Sequence, residues 1–98
     1  MYGLIGKIDV TAGNRDQLID ILLSCTQEMP GCKLYAIAAD TEDDNGIWVT
    51  EIWDDEDSYH ASLKLPEVQQ AMANGRPLIA GFGARHIVTP MGGFGVAL

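Results

Sequence analysis

Residues 32–53, CKLYAIAADTEDDNGIWVTEIW, decide the fold of this chain. Two apolar runs, 32–39 and 46–53, flank an acidic turn from Asp40 to Asn45, with Asn45-Gly46 near its end. That is the pattern of an antiparallel hairpin. On the second run Ile47, Val49, Glu51 and Trp53 face one way, and Trp48, Thr50 and Ile52 the other. On the first, Leu34, Ala36 and Ala38 oppose Tyr35, Ile37 and Ala39. A one-sided antiparallel sheet alternates apolar-in and polar-out. Neither face here is cleanly polar, so both faces need a cover.

Working outward, residues 2–10 read as a strand, with Tyr2, Leu4, Ile8 and Val10 of one parity and Ile5, Lys7 and Asp9 of the other. A turn follows at Thr11–Asn14, with Asn14 as N-cap, then a helix predicted over 15–28 with Leu18, Leu22, Cys25 and Met29 on one stripe. Pro30-Gly31 stops it. Acids at 54–57 suit the positive end of a second helix carrying Tyr59, His60 and Leu63. Leu65-Pro66 breaks that helix and opens a third, predicted over roughly 66–80, which Gly81 and Gly83 end. The last strand is predicted at 84–90, and 91–98 read as a Gly-rich apolar tail of a single domain, 1–98. The order β-α-β-β-α-β predicts an α+β, ferredoxin-like antiparallel sheet with helices on one face. Two helices cover one face, so a second copy is expected on the other, giving a homodimer through the sheet face.

Composition narrows the function classes. Among 98 residues, 14 acids and 6 basic residues give a net charge of −8, with 47% hydrophobic residues. The charge argues against nucleic acid and anionic membrane as partners, which select for clustered Lys and Arg. No run of eighteen apolar residues and no signal peptide are legible, and two cysteines, Cys25 and Cys32, read as reduced thiols of a cytoplasmic protein. Their spacing fits no zinc pattern, and the acidic runs 40–44 and 54–57 lack EF-hand spacing, so no metal is expected.

Pro30-Gly31-Cys32 with Tyr35, then Glu51-Ile52-Trp53, then His60 seven residues later, together with Val10-Thr11-Ala12-Gly13, resemble the antibiotic biosynthesis monooxygenase family. The resemblance implies a dimeric α/β barrel. It also implies, in many members, oxygenation of a quinol or polyhydroxylated aromatic by O2 with no cofactor: the substrate is deprotonated and its anion reduces dioxygen. On that reading His60 is the proton acceptor and Trp53 the ring platform, with Tyr35, Glu51, Tyr59 and Arg85 as substrate-binding residues. Taken alone, His60 reads as a hydrogen-bonded helix histidine, and Glu51 as a satisfied strand carboxylate. Arg85 and His86 alternate, so one of them faces inward. Strand 2–10 has no Asn and the second helix no Trp, which departs from the haem-degrading members. Two other readings of the same fold are a non-catalytic ligand-binding module and an isomerase of a small carbonyl compound.

Overall fold

The computed structural model describes residues 1–96; the end of the predicted tail, 97–98, lies outside the described residues. The elements are β1 (Tyr2–Val10), α1 (Arg15–Ser24), β2 (Cys32–Ala39), β3 (Gly46–Trp53), α2 (Glu56–Ser62), α3 (Pro66–Gly75), a single 3-10 turn (Arg76–Leu78) and β4 (Ile79–Val88). The sheet order is β2-β3-β1-β4, with every neighbouring pair antiparallel. This is the ferredoxin-like arrangement.

The strand parities read from the sequence hold. Leu4, Val10, Ile47, Val49 and Trp53 are buried on one face, and Leu18 of α1 closes over Val10, Ile47 and Val49. Ile5, Leu34, Trp48 and Ile52 lie on the other face and are only half-buried, with Ala36 and Ala38 exposed beside them. No helix among the described residues is long and apolar enough to cross a membrane.

The bounds of α1, α3 and β4 differ from expectation, α3 ending at Gly75 rather than near 80. Helix α1 ends at Ser24 rather than 28. Ser24 Oγ, Cys25 Sγ and Thr26 Oγ1 donate to the carbonyls of Ile21, Leu22 and Leu23. Three successive side chains thus bond the helix's last carbonyls and compete with its continuation. Strand β4 begins at Ile79, not 84, and ends at 88. Pro77, which has no N–H, turns α3 into the 3-10 turn, and Thr11 ties that turn back to the sheet through its N–H and Oγ1, both bonded to the Leu78 carbonyl. Gly81 and Gly83 lie inside the strand, where register shifts opposite Gly6–Ile8 and Asp9–Val10 mark bulges.

The acidic hairpin turn is more than solvated surface. Asp40 Oδ1 accepts from the N–H groups of Glu42 and Asp43, and Asp40 Oδ2 from Trp48 Nε1 at 2.8 Å. Lys7 Nζ sits 2.8 Å from Asp43, and Arg15 donates to the carbonyls of Asp40 and Asp43. The turn is therefore pinned to both β1 and α1. At the other hairpin end Gly31 has φ +82, and a Cβ there would stand 2.6 Å from Ser58 Oγ. Only glycine lets the chain pass α2 at that point.

Candidate active site

Between the helix-covered face of the sheet and α2 lies a cavity of about 150 Å³, lined by residues that include Gly6, Tyr35, Val49, Glu51, Tyr59, Phe82 and Arg85. Strand pairing explains the grouping. Tyr35, Glu51 and Leu4 form one row across β2, β3 and β1. Ile37, Val49, Gly6 and Arg85 form the next. Gly6 is the gap in the otherwise apolar parity of β1. A Cβ built there meets nothing nearer than the Ala84 carbonyl at 3.8 Å, so the missing side chain is the floor of the cavity.

Glu51 is the ionisable centre. Its carboxylate Oε1 accepts from Trp53 Nε1 at 3.1 Å. Burial pushes its pKa above the usual glutamate value, against the opposing pull of the Trp53 hydrogen bond and of Arg85. Arg85 approaches across Gly6 without forming a direct ion pair to Glu51 among the described residues. Burial also pushes the Tyr35 phenol well above its usual value, with the Glu51 charge adding to it. Tyr35 therefore stays a hydrogen-bond donor throughout the neutral range.

Tyr59 stands on α2 with its ring 5.5 Å from Tyr2 and 6.1 Å from Trp53, forming an aromatic end wall. Helix α2 is fixed there by its N-cap, Asp55, whose Oδ1 accepts from the Ser58 N–H at 2.7 Å. That contact holds the Asp55 carboxyl below its usual range.

Four of the six residues singled out in the sequence meet in this cavity: Tyr35, Glu51, Tyr59 and Arg85. Trp53 is fully buried behind Glu51 and reaches the cavity only through its hydrogen bond. His60 is placed elsewhere. Its side chain is 56% exposed, its Nε2 lies 3.1 Å from Glu56 one turn earlier, and it is not among the residues lining the cavity. The physical reason is the rotation of α2, which turns Tyr59 onto Trp53 and the next residue outward. His86 pairs with Ile5 and so belongs to the other face, which settles the alternation in favour of Arg85. Gly6 and Phe82 were missed. The break in the β1 stripe at Gly6 was a usable signal, whereas Phe82 could not be placed without knowing that β4 starts at 79.

Among the described residues no group of three or more His, Cys, Asp and Glu side chains stands ready for a metal ion. The arrangement is a candidate small-molecule site of an α+β sheet domain: a cavity of about 150 Å³ whose lining includes a carboxylate, a guanidinium and two phenols. The profile of the antibiotic biosynthesis monooxygenases matches residues 1–74, and the chain belongs to that family. It is similar over 98% of both chains, at 51% identity and a TM-score of 0.94, to a solved structure from Chloroflexus aurantiacus assigned to these monooxygenases. Structures from Deinococcus radiodurans (23% identity, 96% of each chain, TM-score 0.78) and Nitrosomonas europaea (15% identity, 94% of this chain and 98% of that one, TM-score 0.78) share the fold. None of the curated proteins compared with the chain matches it.

Proposed function

We propose that this protein is a monooxygenase of a quinol or related hydroxylated aromatic, working as a homodimer without a resident cofactor. The observation that carries the reading is Glu51, a partly buried carboxylate of raised pKa in a ring-sized cavity, with Arg85 and the Tyr35 phenol beside it. Glu51 takes the phenolic proton, and its raised pKa brings it nearer the pH at which a general base is effective. Arg85 faces the phenolate that forms, and the Tyr35 hydroxyl donates to a substrate oxygen. Tyr59 provides the flat wall for the ring.

The phenolate then gives one electron to O2, and the ring radical and superoxide combine at a ring carbon. The resulting hydroperoxide loses water. One oxygen atom of O2 ends on the ring, the other in water, and the quinol leaves as a hydroxyquinone. Trp53 is a positioning residue, holding the Glu51 carboxylate toward the cavity. Glu51 replaces His60 as proton acceptor in this scheme because His60 faces solvent.

The homodimer reading rests on apolar surface outside the cavity. Ile5, Leu34 and Ile52 of the uncovered sheet face are half-buried, and Ile87, Met91 and Phe94 stand exposed along β4 and the chain beyond it. An exposed apolar surface of that extent suits a second copy.

Oxygen uptake with a panel of quinols and anthrones tests the activity. Wild type consumes O2 with at least one of them, Glu51→Gln loses about 10²–10⁴-fold in kcat, and His60→Ala retains most of it. Loss in His60→Ala with retention in Glu51→Gln would reverse the assignment. Conversion of a substrate under nitrogen would make the protein an isomerase instead.

A further inference from the structure

A second cavity of about 460 Å³ lies beside the ring cavity under α1 and α3, and the two share Ile8, Tyr35 and Phe82 in their walls. The second compartment has a different chemistry. Its walls include Leu18, Leu22, Leu63, Val68, Ala71 and Met72, and its lining is overwhelmingly apolar. Leu18, Val68 and Ala71 are core residues, whereas Leu63, Met72 and Phe82 are partly exposed at its edge, Phe82 by 73%. Large apolar side chains left in water around a concave apolar surface mark a site that awaits a ligand.

The volumes set the division of labour. An apolar cavity of about 150 Å³ is enough for one benzene ring. The compartment holding Glu51 and Arg85 is of that size, and the apolar one is about three times larger. A free quinol fills the first and leaves the largely apolar walls of the second to water. Methionine at the edge adapts to a flexible guest, having three rotatable bonds and a polarizable sulfur. A chain with rotatable bonds also bends around the shared wall at Tyr35 and Phe82, which a rigid fused polycycle crosses only if both compartments share one plane.

We propose that the substrate is a single hydroxylated ring carrying a flexible apolar chain, alkyl or prenyl, with the ring at Glu51 and Arg85 and the chain in the compartment under α1 and α3. This deepens the monooxygenase reading and rests on its placement of the ring. The binding readout below needs no turnover.

The experiment is calorimetric titration under nitrogen with resorcinols bearing no chain, or a butyl, hexyl or octyl chain at the 5-position, and with a dihydroxyanthracene as the rigid comparison. Wild-type Kd is expected to fall by about two- to fourfold per methylene buried, and then level off once the compartment is full. Leu63→Trp fills the compartment, and Met72→Lys puts a charge at its edge while lying on an exposed helix surface. Both are expected to reduce the ratio of octyl to unsubstituted affinity by tenfold or more (~). Equal affinities along the wild-type series, a ratio untouched in both variants, or dihydroxyanthracene binding more tightly than every alkyl resorcinol would each overturn the proposal. A chain-length dependence with no O2 uptake from any quinol keeps the compartment and removes the monooxygenase. Uptake without chain-length dependence does the reverse.

Discussion

Replacing Trp53 by Phe tests the coupling between the core and the ionisable centre. Trp53 is fully buried and its Nε1 donates at 3.1 Å to Glu51 Oε1. Phenylalanine keeps a ring next to Cβ but loses the volume of the distal fused ring of the indole, and leaves a void costing on the order of 1–2 kcal/mol. It also removes a hydrogen bond to a carboxylate that water only partly reaches, which adds about 1 kcal/mol. The total, about 2–3 kcal/mol, lowers Tm by roughly 10–20 °C in a domain of this size. Trp48 supplies the control: half-buried on the other sheet face, its Nε1 donates to Asp40 Oδ2. Trp48→Phe is expected to lower Tm by clearly less than Trp53→Phe, because solvent screens its hydrogen bond to Asp40. Thermal unfolding followed by circular dichroism at matched protein concentration measures both. The Trp53 bond also lowers the Glu51 pKa, so its loss raises that pKa further. The Glu51 base form exists above its pKa, hence the acidic limb of the activity profile moves to higher pH in Trp53→Phe. Equal Tm losses in the two variants, or an acidic limb that stays put, would refute the reasoning.

Other outcomes follow from the same geometry. Glu51→Gln is expected to raise Tm at neutral pH: the folded pKa of Glu51 lies above its unfolded value, so the carboxyl favours the fold when protonated and that contribution is lost as pH rises through the folded pKa. A stability–pH curve of the variant that overlays the wild type would contradict this. Gly6→Val is expected to fold normally, since a Cβ there meets only ordinary contact, yet to weaken binding of an unsubstituted resorcinol by tenfold or more (~) in calorimetry by filling the ring compartment. Asp40 is held below its usual carboxylate range first by the Trp48 hydrogen bond, and Asp43 by the Lys7 hydrogen bond. Their contribution to stability is present above the unfolded carboxylate range and is lost as pH falls through their lowered values, and Asp43→Asn makes acid unfolding less steep. Sedimentation at micromolar concentration is expected to give twice the 10.6 kDa chain mass, and a monomer there would remove the dimer.

Strand faces, strand order class and family were legible in the sequence because a strand's side chains alternate with period two. Once Ile47, Val49, Glu51 and Trp53 are seen to share a face, the placement of Glu51 against the apolar side follows from local geometry. The meeting of Tyr35 with Glu51 follows likewise from the hairpin register. Which α2 residue turns inward was not legible. A helix carrying Tyr59 and His60 on adjacent positions can rotate either onto the sheet, and the contacts of Tyr59 with Tyr2 and Trp53 decide it. The start of β4 was hidden for a related reason. Gly81 and Gly83 read as chain breakers, and only pairing with β1 turns them into bulged strand positions that bring Phe82 and Arg85 over Gly6.

The sequence by itself thus determined the ferredoxin-like sheet, its two apolar faces and its kinship, all properties set by residue alternation and short-range turn chemistry. Tertiary structure alone decided that Glu51 rather than His60 lines the cavity, that the absent side chain at Gly6 leaves open space beside it, and that a second, apolar cavity shares its walls. Those are properties of space between elements, and no local pattern fixes the distance at which two packed layers leave a gap.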